Sequence, residues 1–333
     1  MTLPRCKIKK TIPTYDYPVL LDAVEAQNEI FWLPTEPKVE KDLHCLKTEL
    51  DEAELHGTMT TLSLFTQYEI LAGNEYWSGR FKRMFPRPEF AMVGTCFGHI
   101  ELNVHSRFYQ RVDELLGLDN DEFYTSFTDD PVLKSRMQFL DDCVSNKDDL
   151  YSVGVFSLVE GAILYSSFAF LMHFQADGKN KLPNIHSGLT FSVKDENLHS
   201  ETGAWCFKNL LKEMQELGYT DEEKQELYKK IYKAAETILE HEKRIIDMVF
   251  EKGNIKGITA TQMERFVESR IDLCLQNLGL DKLYNPTYNP IAKWFYKMIG
   301  GDTQHDFFYK LGSAYNRDWP EKDFVWSLSL IHI

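Results

Sequence analysis

Apolar residues recur every three to four positions over long stretches of this chain, the spacing of one face of an α-helix. Between Asp51 and Trp77 the residues Leu62, Phe65, Tyr68, Glu69 and Ala72 share a face, which predicts a long helix. A shorter helix is predicted from Pro18 to Ile30, running into the turn Phe31-Trp32-Leu33-Pro34. Gly79 to Pro88 reads as a basic loop carrying Arg80, Lys82, Arg83 and Arg87. Pro88-Glu89 opens the next helix, with proline tolerated in the first turn and glutamate favourable at its positive end. That helix runs to Leu116, where Gly117 stops it. Further helices are predicted over Asp130–Val144, Leu150–Phe174 and Leu182–Leu217, the last irregular around Ser187-Gly188. Thr220 followed by Glu223 is a capping pair that starts a helix to Phe250, and Thr259–Leu278 forms another. Residues 1–16 look extended and loosely held, and Asn285–Tyr315 is aromatic and turn-rich. Strand-like alternation is hard to find, and neither a repeat nor an interdomain linker stands out. The economical reading is one all-α domain.

Composition sharpens this picture. The 333 residues include 22 Phe, 16 Tyr and 6 Trp, enough for a large packed interior. A formal charge of −14 and a pI near 5.2 argue against nucleic acid and anionic membranes as partners. Cys6, Cys45, Cys96, Cys143, Cys206 and Cys274 are scattered without CxxC spacing, as expected of reduced thiols rather than a disulfide framework. No signal-like apolar core opens the chain, and no uninterrupted apolar run approaches ~18 residues. The expectation is a soluble, cytoplasmic protein with a protein or small-molecule partner.

Acidic residues and histidines set into the apolar helices carry the candidate chemistry. Glu160 lies within Val155-Phe156-Ser157-Leu158-Val159-Glu160-Gly161-Ala162-Ile163-Leu164, where a lone carboxylate is costly unless paired or coordinated. Glu69 has a similar setting before Ile70-Leu71-Ala72. Glu196 and His199, three apart, lie side by side on a helix and offer an oxygen and a nitrogen to one point. Glu101 precedes His105 by four. On an α-helix position 101 falls about 40° to one side of His105 and position 102 about 60° to the other. Only Glu101 bears a ligating group, since position 102 is Leu, and a one-residue π-bulge would restore the usual relation. Four carboxylates match the charge of two divalent cations, so Glu69, Glu101, His105, Glu160, Glu196 and His199 form a ligand set for two metals inside a helix bundle.

In their joint order these segments resemble the small, radical-generating subunit of class I ribonucleotide reductase, over roughly Ile30 to Arg317. Phe31-Trp32-Leu33-Pro34 is similar to the family's N-terminal Phe-Trp turn, and Glu69-Ile70-Leu71-Ala72-Gly73 to the stretch with the first ligand, Glu standing for the more common Asp. Asn103-Val104-His105-Ser106-Arg107-Phe108-Tyr109 resembles the helix with a histidine ligand and, four residues on, the radical tyrosine. Val159-Glu160-Gly161 with Ser167-Phe168-Ala169, and Asp195-Glu196-Asn197-Leu198-His199 after Gly188-Leu189-Thr190-Phe191-Ser192, are similar to the helices supplying the remaining ligands. Asn289-Pro290, Asp306-Phe307-Phe308 and Ala314-Tyr315-Asn316-Arg317 look like late elements of the family. The one departure is the extra residue between Glu101 and His105.

The resemblance implies a ferritin-like bundle with a dimetal-carboxylate centre, iron first and manganese or a mixed pair as alternatives. It implies a tyrosyl radical on Tyr109, kept dry by Leu164 and Phe168, and radical transfer through Trp32, Asp195 and Tyr315. It also implies a homodimer that works with a large subunit in reducing ribonucleotides to deoxyribonucleotides. The domain would span residues 1–327. The last six residues, Leu328-Ser329-Leu330-Ile331-His332-Ile333, are what a transposon-end sequencing adapter would encode in one frame, so 328–333 read as a non-native tail. Two other readings accommodate the metal-ligand pattern: a different ferritin-like dimetal oxidase or oxygenase, and a metal-free helical scaffold.

Overall fold

The structure is a computed structural model that describes residues 3–300. Among these residues every regular element is helical. Helix α1 covers Val19–Glu29, and α2, Glu52–Ile70, continues into a π-helical stretch, Leu71–Phe81. Helix α3, Pro88–His99, passes through π-helical Ile100–His105 into α4, Ser106–Leu116. Then come α5, Pro131–Ser145, α6, Asp149–Ala162, α7, Tyr165–Met172, and α8, Pro183–Glu216. Helices α9, Asp221–Val249, α10, Ala260–Asn277, and α11, Pro290–Met298, complete the described chain.

Local chemistry sets many of the ends. Thr220 and Glu223 form a reciprocal capping box at α9, as Thr259 and Gln262 do at α10. Gly117 ends α4 at φ 71°, a left-handed conformation that costs glycine little. Asn289 caps α11 ahead of Pro290.

The bundle is built around α6, whose residues from Ser152 to Ala162 are all buried. Its main partner is α8, and small residues let the two approach closely. Ser157 Oγ donates to the Ser200 carbonyl and Ser200 Oγ to the Ser157 carbonyl, each at 2.8 Å. A Cβ placed on Gly161 would lie 2.3 Å from Cys274 Sγ of α10 and 2.4 Å from Ser200 Oγ of α8. Asp149–Gly178 is apolar and long enough to cross a membrane, yet its most apolar window lies wholly inside the molecule. It is core.

Four segments depart from the expectations. The segment read as a basic loop is helical from Gly79 to Met84; Arg80 pairs with Asp149, and Arg87 is buried between Asp16 and Glu89. For Arg80 and Arg87, acidic partners distant in sequence, Asp149 and Asp16, neutralise the charge that suggested a loop. The stretch from Leu150 to Phe174 is not one helix but breaks at Leu164, which has φ 71°. There Glu242 of α9 accepts from Ser166 Oγ at 2.6 Å and its backbone N–H at 3.3 Å, and pairs with buried Arg136 at 3.0 Å. The freed amide at the restart of α7 thus meets an acceptor from another helix. Helix α8 is continuous through Ser187-Gly188, and the lack of a Cβ at Gly188 leaves room for the ring of Phe108 against its backbone. The first described residues are pinned rather than loose: Arg5–Lys7 form a 3-10 turn, Cys6 is fully buried, and its N–H donates to Glu213 Oε2 at 2.8 Å. All six cysteines are free.

Candidate metal centre

Glu69 comes from the end of α2, Glu101 and His105 from the π-helical stretch after α3, Glu160 from α6, and Glu196 with His199 from α8. The π-helical turn lies where the four-residue spacing called for it. By widening the helix it carries Glu101 onto the face of His105. All six residues are at most 1% exposed.

They converge as two overlapping groups. Glu69, Glu101, His105 and Glu196 offer ligand atoms within 4.8 Å of one another, as do Glu101, Glu160, Glu196 and His199. Glu101 and Glu196 belong to both. Glu101 Oε2 lies 3.0 Å from His105 Nδ1, and its Oε1 lies 2.5 Å from His199 Nδ1. Glu196 Oε1 is 3.3 Å from His105 Nδ1, Glu69 Oε2 is 3.6 Å from the same atom, and Glu160 Oε2 is 3.7 Å from His199 Nδ1. Both oxygens of Glu69 and of Glu196, with Glu160 Oε2, are buried without a hydrogen-bond partner, and Glu101 Oε1 and His199 Nδ1, though close, are not aligned for one. Leaving so many polar atoms unsatisfied in one place is costly unless cations occupy their midst. The donor set of carboxylate oxygens and two imidazole nitrogens suits first-row transition metals.

The crowding of negative charge appears in the titration of the groups. Burial, then Glu101, pushes the Glu69 carboxyl well above its usual range; burial with Glu101 and Glu160 does the same to Glu196. Burial also disfavours the Glu101 carboxylate, but His105 and His199 outweigh it and hold that group below its usual range. Burial lowers the basicity of His199, yet Glu101 lifts its pKa to about 9.

Behind the centre, His105 Nε2 lies 2.9 Å from Asp195 Oδ2, which also accepts from the Trp32 indole N–H at 2.8 Å. Trp32 and Asp195 therefore join the histidine as a hydrogen-bonded chain. Tyr109, stacked on Phe65 at 4.3 Å, shares a 2.8 Å hydrogen bond with Ser192 Oγ. Burial and the Glu69 carboxylate raise its phenol pKa well above the usual value. Phe168 packs against Phe65 with ring centres 5.2 Å apart and the planes tilted, and Leu164 is fully buried. Tyr315 and residues 328–333 lie outside the described residues.

Two contributors had no signal in the spacing. Gln27 of α1 donates to Asp195 Oδ1 at 2.7 Å, and its Oε1 lies 3.1 Å from His199 Nε2, so one amide ties the outer faces of both imidazoles together. Trp77, on the first π-helical stretch, donates its indole N–H to Glu160 Oε1 at 3.0 Å. Such partners orient ligating groups and set their tautomers.

Comparison with known proteins bears on what this centre is. The family model described as "Ribonucleotide reductase, small chain" matches residues 9–290. The probable ribonucleoside-diphosphate reductase small subunit 048L of Invertebrate iridescent virus 3 is 23% identical, over 94% of this chain and 87% of its own length. Dimanganese(II)-NrdF of Streptococcus sanguinis shares the fold with a TM-score of 0.74 at 19% identity, covering 85% of this chain and 98% of that one. The Rnr4 homodimer of Saccharomyces cerevisiae superposes with a TM-score of 0.68 at 19% identity, covering 85% of each. The family match runs through all the helices that supply the buried carboxylates and imidazoles, and with it the chain belongs to the ribonucleotide reductase small-chain family.

Proposed function

We propose that this ribonucleotide reductase small subunit holds two metal ions between Glu69, Glu101, His105, Glu160, Glu196 and His199, and stores a one-electron hole on Tyr109. Glu101 and Glu196 serve both positions, as their membership of both groups suggests. Each histidine ligates through Nδ1, while its Nε2–H donates outward, from His105 to Asp195 and from His199 to Gln27. A metal pair held there, once oxidised by dioxygen or an equivalent oxidant, would supply a one-electron acceptor. Tyr109 would give up one electron to it and pass its phenolic proton out through the Ser192 hydroxyl, leaving a neutral radical. Ser192 fixes its hydroxyl, and the Phe65, Phe168 and Leu164 side chains exclude water. Trp32 and Asp195 then lead the hole away from the His105 face towards Tyr315 and the large subunit, where ribonucleotides are reduced.

Iron is the first candidate metal, and the manganese of the Streptococcus sanguinis neighbour makes manganese, or a mixed pair, the next. We further infer a single ferritin-like domain over 1–327, a cytoplasmic homodimer like the one named for the Saccharomyces cerevisiae neighbour, and no nucleic-acid or membrane partner. The observation that carries the reading is the convergence of six buried side chains, five of which carry ligand atoms without hydrogen-bond partners. The test is aerobic reconstitution with ferrous or manganous ions, followed by elemental analysis and electron paramagnetic resonance. About two metal ions per chain, and a tyrosyl signal lost in Tyr109→Phe, are expected. Negligible metal, or a signal that survives in Tyr109→Phe, overturns the assignment.

A further inference from the structure

A second buried tyrosine lies near the centre, and the question is what keeps it from being oxidised. Tyr165, at the start of α7, is fully buried and connects to Tyr109 through packed rings: Tyr109 on Phe65 at 4.3 Å, Phe65 on Phe168 at 5.2 Å, Phe168 on Tyr165 at 5.5 Å. From Tyr165 the rings continue outward through Phe295 at 6.1 Å to half-buried Tyr296 at 5.7 Å, on α11. A run of packed rings, with oxidisable stations at Tyr165 and Tyr296, thus leads from Tyr109 to the surface, on elements distinct from Trp32.

Arg270 of α10 interrupts it. Its guanidinium carbon sits 3.9 Å over the centre of the Tyr165 ring. Three hydrogen bonds hold it: Nε to the Gly161 carbonyl at 3.0 Å, Nη1 to Tyr296 Oη at 3.1 Å and Nη2 to Asn197 Oδ1 at 2.9 Å. Asn197 Oδ1 is also where the Tyr165 hydroxyl donates, at 2.9 Å. No carboxylate is bonded to this guanidinium among the described residues, so its positive charge stays directed at the two phenol rings.

We infer that Arg270 is a redox gate that keeps the hole on Tyr109 by making Tyr165 unable to give up an electron. Leakage would transfer one electron and one proton from Tyr165 to the Tyr109 radical, regenerating the Tyr109 phenol and leaving a neutral Tyr165 radical. The guanidinium opposes the electron half, and the want of a base opposes the proton half. Electron loss would place a hole against a fixed cation in a low-dielectric interior. Proton loss has only an amide oxygen to go to, and that oxygen is already bound by the guanidinium, which lowers its basicity. Tyr109 is stacked on neutral Phe65 and paired with Ser192. The difference between the two tyrosines sets where the hole rests and closes the exit through Tyr296.

The inference rests on Tyr109 as the radical site, and the test separates the two ideas. In reconstituted protein, Arg270→Gln should shorten the lifetime of the tyrosyl signal by about tenfold or more. Adding Tyr165→Phe should restore it, which a merely structural role for Arg270 would not allow. A lifetime unchanged in folded Arg270→Gln, or not restored in the double variant, overturns the gate. Asn197→Asp gives Tyr165 a true proton acceptor while keeping Arg270 paired, so it serves if Arg270→Gln does not fold, and the same shortening is expected. A metal-free arm covers the case in which Tyr109 is not the radical site. Purified apoprotein is exposed to azide radicals and oxidised tyrosines are mapped by mass spectrometry. Tyr165 should be spared in the unsubstituted chain and oxidised in Asn197→Asp. Equal oxidation in both, or sparing in both, refutes the gate whatever the fate of Tyr109.

Discussion

Glu101 separates the two halves of the centre more sharply than any other residue, because its two oxygens face different histidines. Glu101→Ala should therefore bring bound metal close to zero, whereas Glu69→Ala, which touches one group only, should leave about one ion per chain. Equal metal content in the two variants, measured by elemental analysis, would argue against a shared carboxylate. Gln27 is the test of the outer layer. Gln27→Leu removes a bridge between Asp195 and His199 without touching a ligand, so metal affinity should weaken about 10–100-fold in a competition titration. An unchanged affinity would make the amide a packing residue only.

The helix elements owe their placement to a few close approaches. Helices α6, α8 and α10 meet where Gly161 has no room for a Cβ, and the neighbours that a methyl would strike are Cys274 and Ser200. Gly161→Ala should destabilise the fold by about 1–3 kcal/mol in urea denaturation, because a well-packed crossing must spread to admit it. It should also lower metal affinity, since Glu160 precedes Gly161 and rides on the same helix. At the edge of the bundle, Thr259→Ala removes one half of a capping box on α10 and should cost about 1 kcal/mol. A loss at Thr259 as large as that at Gly161 would contradict this ranking. The resemblance and the spacing rules anticipated the π-helical turn at Ile100–His105, since a four-residue Glu-His gap needs one extra residue in the turn. They did not anticipate the restart at Leu164, because what stabilises it, Glu242 with Arg136, lies on other helices.

Across the whole molecule, charge buried for the centre and histidines buried for packing pull on stability in different ways. Metal binding to the folded chain alone stabilises it, by about 2.7 kcal/mol when free metal is a hundredfold above its dissociation constant. The melting temperature should rise with added metal and fall back on chelation, and Glu101→Ala should abolish that response. His173 is fully buried, and burial, with Lys179 nearby, pushes its pKa down to about 3. The unfolded chain takes up this proton near pH 6.5 and the folded one does not, so the unfolded state gains as pH falls through the range between about 6.5 and about 3. His173→Gln should flatten the loss of stability in that window, by about 1.4 kcal/mol per pH unit at most. An unaltered slope of unfolding free energy against pH would show that His173 does not titrate as its burial requires.

What the sequence by itself determined was the helical class, most helix ends and which carboxylates and imidazoles are set into the apolar helices. Those properties are local: periodicity, capping residues, and the cost of Glu160 or Glu69 in an apolar helix can be read along the chain. What only the tertiary structure decided is which atoms from distant helices meet. Gln27 reaching both histidines, Trp77 holding Glu160, the break at Leu164 and the guanidinium of Arg270 over Tyr165 each join residues far apart in the chain. A hydrogen bond or a ring stack acts over only a few ångströms, so no spacing rule along the chain encodes it. Packing brings those partners within reach.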